Sequence, residues 1–217
     1  MVIFFRSGCL RRQAVTTSIP EISDEYVRRT TGTPIQSVLV DRKKAPCKEN
    51  ILTGTDADLF KLPGPMVHEG DGGRYLATWH FVVAKDPETG AVNWGMYRQM
   101  VFDEKTMVGP VLPFSDMGKM FYGKYVPKNK PMPFATVIGC DPLSGVAACA
   151  PSPIPEDQFT GMLMGKPVEL VKCETCDLEV PAHAEIIIEG EVIPNVWIEE
   201  APFGEYTGYR TSPREPR

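Results

Sequence analysis

The sequence has little of what metal, secreted and nucleic-acid-binding proteins depend on. Its six cysteines, Cys9, Cys47, Cys140, Cys149, Cys173 and Cys176, are too few and too unevenly spread for a disulfide framework, which fits a reducing, cytoplasmic setting. The pair in Cys173-Glu-Thr-Cys176 has the spacing of a zinc or redox site, but no second C-x-x-C and no C-x-x-H completes it. The three histidines, His68, His80 and His183, form no H-x-x-x-H pair and are read as structural or loop residues. No apolar run approaches the ~20 residues of a membrane span. The opening Met1-Val-Ile-Phe-Phe5 is shorter than the ~7–15 residue core of a signal peptide. Basic residues are scattered and outnumbered, 23 Lys and Arg against 28 Asp and Glu, so no nucleic-acid groove is expected. Internal repeats and low-complexity tracts are absent too.

Proline and glycine are plentiful, at 21 and 19. They cut the chain into short pieces, most of which alternate β-branched and aromatic residues instead of following a helical period. The expectation is an α+β chain with a β-rich core and a few flanking helices. Strands are expected over 35–40, 78–85, 91–102, 106–112, 134–138, 168–172 and 185–193, with 78–85 and 91–102 joined as a hairpin through Asp86-Pro-Glu-Thr-Gly90. Ser115 is placed to cap a helix running to about Tyr125, with Met117, Met120 and Phe121 facing the core, and Pro155 to start another over 156–164. Residues 1–33 are expected to be an irregular leader or the remnant of an N-terminal domain; Arg6, Arg11 and Arg12, without a neighbouring acid, leave a transit peptide as the other reading.

The most informative feature is the pairing of Glu200-Ala-Pro-Phe-Gly-Glu205 with Asn93-Trp-Gly-Met-Tyr-Arg98. Pro202 and Gly204 interrupt regular structure, so two glutamates sit on a turned segment that can aim both carboxylates into one pocket. A planar guanidinium can grip one carboxylate, or that of a substrate, and leave the other as a proton donor. The plain alternative is a surface loop with ordinary charges.

These residues resemble the UbiD family of reversible decarboxylases, which use prenylated FMN. The resemblance also rests on Glu69-Gly-Asp-Gly-Gly-Arg-Tyr75, Lys85-Asp-Pro87 with Gly90, Lys172-Cys-Glu-Thr175, Asp177-Leu178, Val180-Pro-Ala182 and Gly208-Tyr209, in one order from about residue 34 to about residue 210. It implies a split β-barrel of the flavin-reductase type over 34–217. Ordinary members are considerably longer, so the expected C-terminal oligomerisation domain would be absent and the chain would be a fragment or one subunit. By the same resemblance Arg98, Glu200 and Glu205 are catalytic, with Glu205 the proton donor and Glu200 orienting Arg98. The cofactor would lie against Asn93, Trp94, Gly95, Met96, Arg98, Pro153 and Glu174. A Mn²⁺ or Mg²⁺ ion, with K⁺ as a further cation, would accompany its phosphate. The family's Asn, His and Glu ligands fall on Asn93, Asp116 and Glu174, so Asp116 departs from the pattern. An all-oxygen ligand set and an Asp that caps the following helix are both open there. The substrate implied is a small aromatic or acrylic acid. The partner implied is a further copy of the chain or a second UbiD-like subunit. A non-catalytic cofactor-binding or scaffold subunit and an ordinary flavin reductase are the competing readings.

Overall fold

A computed structural model describes residues 1–5 and 21–212. Six antiparallel strands form its largest sheet. In spatial order they are β3 (Asn50–Leu52), β1 (Val2–Phe5), β12 (Ile186–Val192), β9 (Met132–Ile138), β5 (His80–Lys85) and β6 (Val92–Gly95). Successive side chains of a strand point to opposite faces, and this sheet is covered on both. Ile187 joins Phe81, Val83, Trp94 and Val180 on one side, while its neighbour Ile188 joins Ile3, Leu59 and Val101 on the other. The apolar run of β12 therefore has a packing reason that alternation alone would not give.

Two three-stranded sheets complete the β structure of the described residues. One orders β11 (Glu179–Pro181), β10 (Glu169–Lys172) and β2 (Val38–Leu39); the other orders β4 (Tyr75–Ala77), β7 (Gln99–Val101) and β8 (Met107–Val108). Leu170, Val171, Val180 and Ala182 of the first bury against the large sheet. Four α-helices flank the sheets: α1 (Ile22–Thr30), α2 (Asp116–Met120), α3 (Pro142–Cys149) and α4 (Glu156–Met164). α4 begins after Pro155 and ends at Gly165, whose φ of 71° is the left-handed conformation that glycine adopts freely. The fold is mixed α+β. Among the described residues the strands do not close into a single barrel, because β3 and β6 end the large sheet.

Several expectations need correction. The stretch 1–33 holds β1, which lies between β12 and β3 with Ile3 fully buried, and α1. Four residues are too few to show a period, and their partners in β3 and β12 lie some 50 and some 180 positions away in sequence, so local reading could not see the pairing. Arg6, Arg11, Arg12 and Cys9 lie outside the described residues. The single strand expected over 91–102 is two strands in different sheets, and the helix expected to Tyr125 keeps α geometry only to Met120, continuing as a wider π-type turn over Phe121–Tyr125. Met117 and Phe121 are buried as expected, with Met120 packed at the edge of their cluster.

Candidate active site

The break between β6 and β7 decides where the chemistry sits. At Gly95 a Cβ would come within 2.5 Å of the Tyr97 ring, so any other residue there would push the ring from the place it takes against β6. Tyr97 and Arg98 then occupy the turn between two sheets, and the backbone carbonyl of Tyr97 is fixed by His80 Nε2 at 2.8 Å.

Arg98 grips Glu200 with two parallel bonds, Nε to Oε1 at 2.6 Å and Nη2 to Oε2 at 2.9 Å. Its third nitrogen, Nη1, donates to Glu205 Oε1. This is the fork geometry that makes arginine the residue for planar carboxylates. Burial works to lower the Arg98 pKa, but the Glu200 hydrogen bonds and the two carboxylate charges outweigh it and raise it, which holds the guanidinium charged. Glu200 is 4% exposed; the Glu205 side chain is 31% exposed. One carboxylate is thus buried in a closed pair, and the other reaches solvent from the same cation.

A second ring of residues holds these three. The Tyr75 hydroxyl donates to Glu200 Oε1 at 3.3 Å and Ala201 O at 3.1 Å. Burial, then the Glu200 charge, raises the Tyr75 pKa, so the phenol keeps its proton. Phe203 packs on Tyr75 at 4.5 Å between ring centroids and lies 5.0 Å from the Arg98 guanidinium carbon. Asp71, buried, accepts the backbone N–H groups of Gly204 and His68, each at 2.8 Å. Burial opposes its charge, yet those bonds hold Asp71 below its usual carboxylate range. A Cβ on Gly72 would stand 1.9 Å from that of Ala201, so the Gly-rich loop can dock there only as glycine. Asp71, Gly72, Tyr75 and Phe203 had no assigned role in the sequence. An acid embedded in a Gly-rich loop was the available signal, but its partner lies over 130 residues away.

The other expected site residues separate into two places. Asn93, buried in β6, donates to the Tyr97 hydroxyl at 3.5 Å, and the same hydroxyl accepts the Met117 N–H at 3.3 Å, which puts Asn93 beside the first turn of α2 and therefore near Asp116. The Trp94 N–H donates to Glu156 Oε2 at 3.3 Å. Burial, with Asp157 and Asp116 as neighbouring charges, pushes the Glu156 pKa up. Glu156 was read only as the start of a helix. Asp116 does not cap α2: Ser115 does, accepting the Gly118 N–H at 3.1 Å, while Asp116 is exposed and pairs with Lys119 at 2.8 Å.

Glu174 goes elsewhere. Its carboxylate meets Lys48 at 3.0 Å and Arg42 at 3.3 Å, and among the described residues no contact joins it to Asn93 or Asp116. Trp94 presents its backbone to the site, but its indole is in the core, stacked on Phe81 at 4.6 Å. Met96 lies against Cys149, with the sulfurs 3.7 Å apart. Pro153 is exposed on the loop that leads into α4. A cleft of about 1410 Å³ opens beside Arg98 and Glu200, lined also by Tyr97, Gln99, Met107 and Trp197. Tyr97 thus stands between this cleft and Asn93.

A part-buried arginine holding two carboxylates at the wall of a wide cleft is equipped to grip an organic acid and move a proton. Residues 38–217 match the UbiD family profile, described as the 3-octaprenyl-4-hydroxybenzoate carboxy-lyase Rift-related domain. The chain is 37% identical over 169 residues to pyrrole-2-carboxylic acid decarboxylase of Pseudomonas aeruginosa, an alignment covering 77% of this chain and 34% of that one. It is 34% identical over 196 residues to ferulic acid decarboxylase 1 of Saccharomyces cerevisiae, covering 89% and 39%. Among solved structures, the UbiD-class enzyme HmfF from Pelotomaculum thermopropionicum in complex with FMN superimposes with a TM-score of 0.84 at 35% identity, covering 93% of this chain and 45% of that one. The closed form of vanillic acid decarboxylase from Sedimentibacter hydroxybenzoicus gives 0.85 at 36% identity, covering 92% and 43%. The chain belongs to the UbiD family. It spans between about a third and two fifths of the length of these curated relatives.

Proposed function

We propose that this chain is the cofactor-binding and catalytic module of a UbiD-class enzyme that reversibly decarboxylates a small aromatic or α,β-unsaturated acid with prenylated FMN. The observation that carries this reading is the Arg98 array, in which Glu200 is locked by two bonds and Glu205 shares the same cation from a more open position. When bound, the prenylated flavin supplies an electron sink for the carbon that loses carbon dioxide. Glu200 and Tyr75 fix the plane of Arg98, Arg98 orients the substrate carboxylate, and Glu205 delivers the proton that replaces it. Phe203 and Tyr75 keep water from the buried side of the pair.

The chain's own residues fit a cation with a phosphate-bearing cofactor. Asn93, Asp116 and Glu156 offer only oxygen, which suits Mn²⁺ or Mg²⁺, and two carboxylates within electrostatic reach of each other are relieved by a dication. In this reading Glu156 takes the part expected of Glu174, with K⁺ a further ion. Gly95, Met96 and Pro153 would line the cofactor alongside the backbone of Trp94. The three sheets would form an open split barrel of the flavin-reductase type, since the first small sheet closes one face of the large one. Among the described residues no helix is long and apolar enough to cross a membrane; a cytoplasmic setting remains part of the proposal.

The similarity to vanillic acid decarboxylase ShVdcCD supports a second reading, in which this chain docks another copy or a second UbiD-like subunit and serves as a non-catalytic, cofactor-binding part. Coexpression with a source of prenylated FMN separates the two. The visible spectrum of the purified chain and carbon dioxide release from a panel of aromatic and acrylic acids would be measured, alone and with a candidate partner subunit. Bound flavin with turnover supports the enzyme; bound flavin without turnover on any acid, in either preparation, supports the binding module.

A further inference from the structure

The pair Cys173 and Cys176 is not used by the proposed reaction, and the fold gives it a third neighbour that the sequence could not. β10 ends at Lys172, and the following turn is closed by the Cys173 N–H donating to Leu178 O at 2.9 Å. Beneath this turn lies Glu189 of β12, 1% exposed. Its Oε1 accepts the Glu174 N–H at 2.7 Å; its Oε2 accepts the Thr175 N–H at 2.7 Å and the Thr175 hydroxyl at 2.5 Å. Among the described residues no basic side chain forms an ion pair with Glu189, although buried charges are ordinarily paired or bound to metal. The two sulfurs and one Glu189 oxygen all lie within 4.8 Å of one another.

We propose that Cys173, Cys176 and Glu189 form a second cation site, selective for a thiophilic divalent ion such as zinc and separate from the Asn93 site. A tetrahedral site with Zn–S of about 2.3 Å and Zn–O of about 2.0 Å needs ligand atoms roughly 3.5 to 3.8 Å apart. The Cys176 sulfur is 4.0 Å from Glu189 Oε2, so a small closing movement completes the set once the Thr175 hydroxyl turns away and frees a lone pair of that oxygen. The N–H groups of Glu174 and Thr175 then fix the carboxylate as outer partners do in metal sites. Thr175, Cys176 and Glu189 line the large cleft, which gives the ion an entry path. Binding releases the protons of both thiols and leaves one position for water. The soft ligands separate this site from the oxygen-only Asn93 set, which suits harder ions.

The test uses the full chain, reduced and handled anaerobically, titrated with Co²⁺ and then Zn²⁺. One equivalent of cobalt should give a thiolate-to-metal charge-transfer band that zinc abolishes. Cys176→Ser should lose that band and weaken zinc binding beyond the roughly 10–100-fold that loss of an outer partner costs, while its circular dichroism stays that of the parent. Asp116→Asn should leave band and zinc affinity unchanged. X-ray absorption of the zinc-loaded parent should show two sulfur scatterers and at least one oxygen. No charge-transfer band in the reduced parent, a band that survives in Cys176→Ser, or an all-sulfur or sulfur-free shell would overturn the proposal.

Discussion

The two ends of the site are built differently. At the Arg98 end every polar group is already engaged: two carboxylates, a phenol and an aromatic face converge on one guanidinium, and Asp71 staples the segment that carries Glu205. At the Asn93 end the carboxylates have little between them. Asp116 faces solvent with Lys119, and Glu156 accepts only backbone N–H groups, its own and a long bond from Trp94, among the described residues. The Arg98 end is organised by protein alone; the other end has the charge and the open positions that a cation and phosphate would complete. Variants that act on one end and not the other put this contrast to the test.

The largest effect is expected from Arg98→Ala. It leaves Glu200 buried without its cation, which costs about 3–5 kcal/mol for a broken buried pair, and it removes the group that orients both substrate and Glu205. Urea unfolding of the variant should show that loss with turnover abolished; a loss below about 1 kcal/mol would mean the array is not the closed unit described. Glu205→Gln should be cleaner. The amide keeps the shape but has no acid proton, so turnover should fall by about 10²–10⁴ while bound flavin and stability hold. Full turnover in this variant would remove Glu205 from its role.

Acid reaches the junction between the ends through His80. Its Nε2 donates to Tyr97 O, its buried Nδ1 has no partner among the described residues, and burial pushes its pKa down from 6.5 to about 4. Because the folded value is depressed, the unfolded chain takes the proton first. Stability should therefore fall as pH drops from about 6.5 to about 4, by roughly 3 kcal/mol in all, and this contribution should be level above and below that window. Urea midpoints at pH 7 and pH 4.5 measure it; an unchanged slope in His80→Gln would assign the loss to other groups.

Glu156→Gln and Glu174→Gln then compare the two candidate glutamates. The first should lower cation-dependent flavin retention by about tenfold or more. The second should leave retention intact and lower stability instead, because it removes the carboxylate that meets the buried Lys48 as well as the exposed Arg42. The reverse outcome would restore Glu174 to the site.

How much of this was legible depended on the distance over which the signal acts. α4 was read to the residue, because Pro155 and the acidic first turn are local features, and β9 and β12 were placed within two residues at each end. The Arg98 array was nominated by the turn that Pro202 and Gly204 mark between two glutamates together with the family resemblance, which named Arg98, Glu200 and Glu205. Three things were hidden. The turn at Gly95–Arg98 lies inside a run of strand-forming residues, and only the packing of Tyr97 breaks it. Glu156 and Glu174 are indistinguishable as letters, and only the fold sets one beside Trp94 and the other beside Lys48. Asp71, Tyr75 and Glu189 act through partners more than ten residues off, in pairings that the tertiary fold alone decides.

The smallest effect, and the sharpest for the contrast between the two ends, belongs to Asp116→Asn. The Asp116 side chain is 68% exposed, and a surface ion pair such as that with Lys119 is worth about 0–1 kcal/mol. Ser115 holds the helix N-terminus, so the remaining structural value of Asp116 is its charge in the first turn, about 0.3–1 kcal/mol. The melting curve should therefore move little. If Asp116 completes the cation set with Asn93 and Glu156, the neutral amide, a weaker ligand for a hard dication, should still cut Mn²⁺-dependent flavin retention. Retention would be measured by gel filtration with and without added Mn²⁺. A small stability loss with retention unchanged would give Asp116 to the helix and leave two ligands at that end.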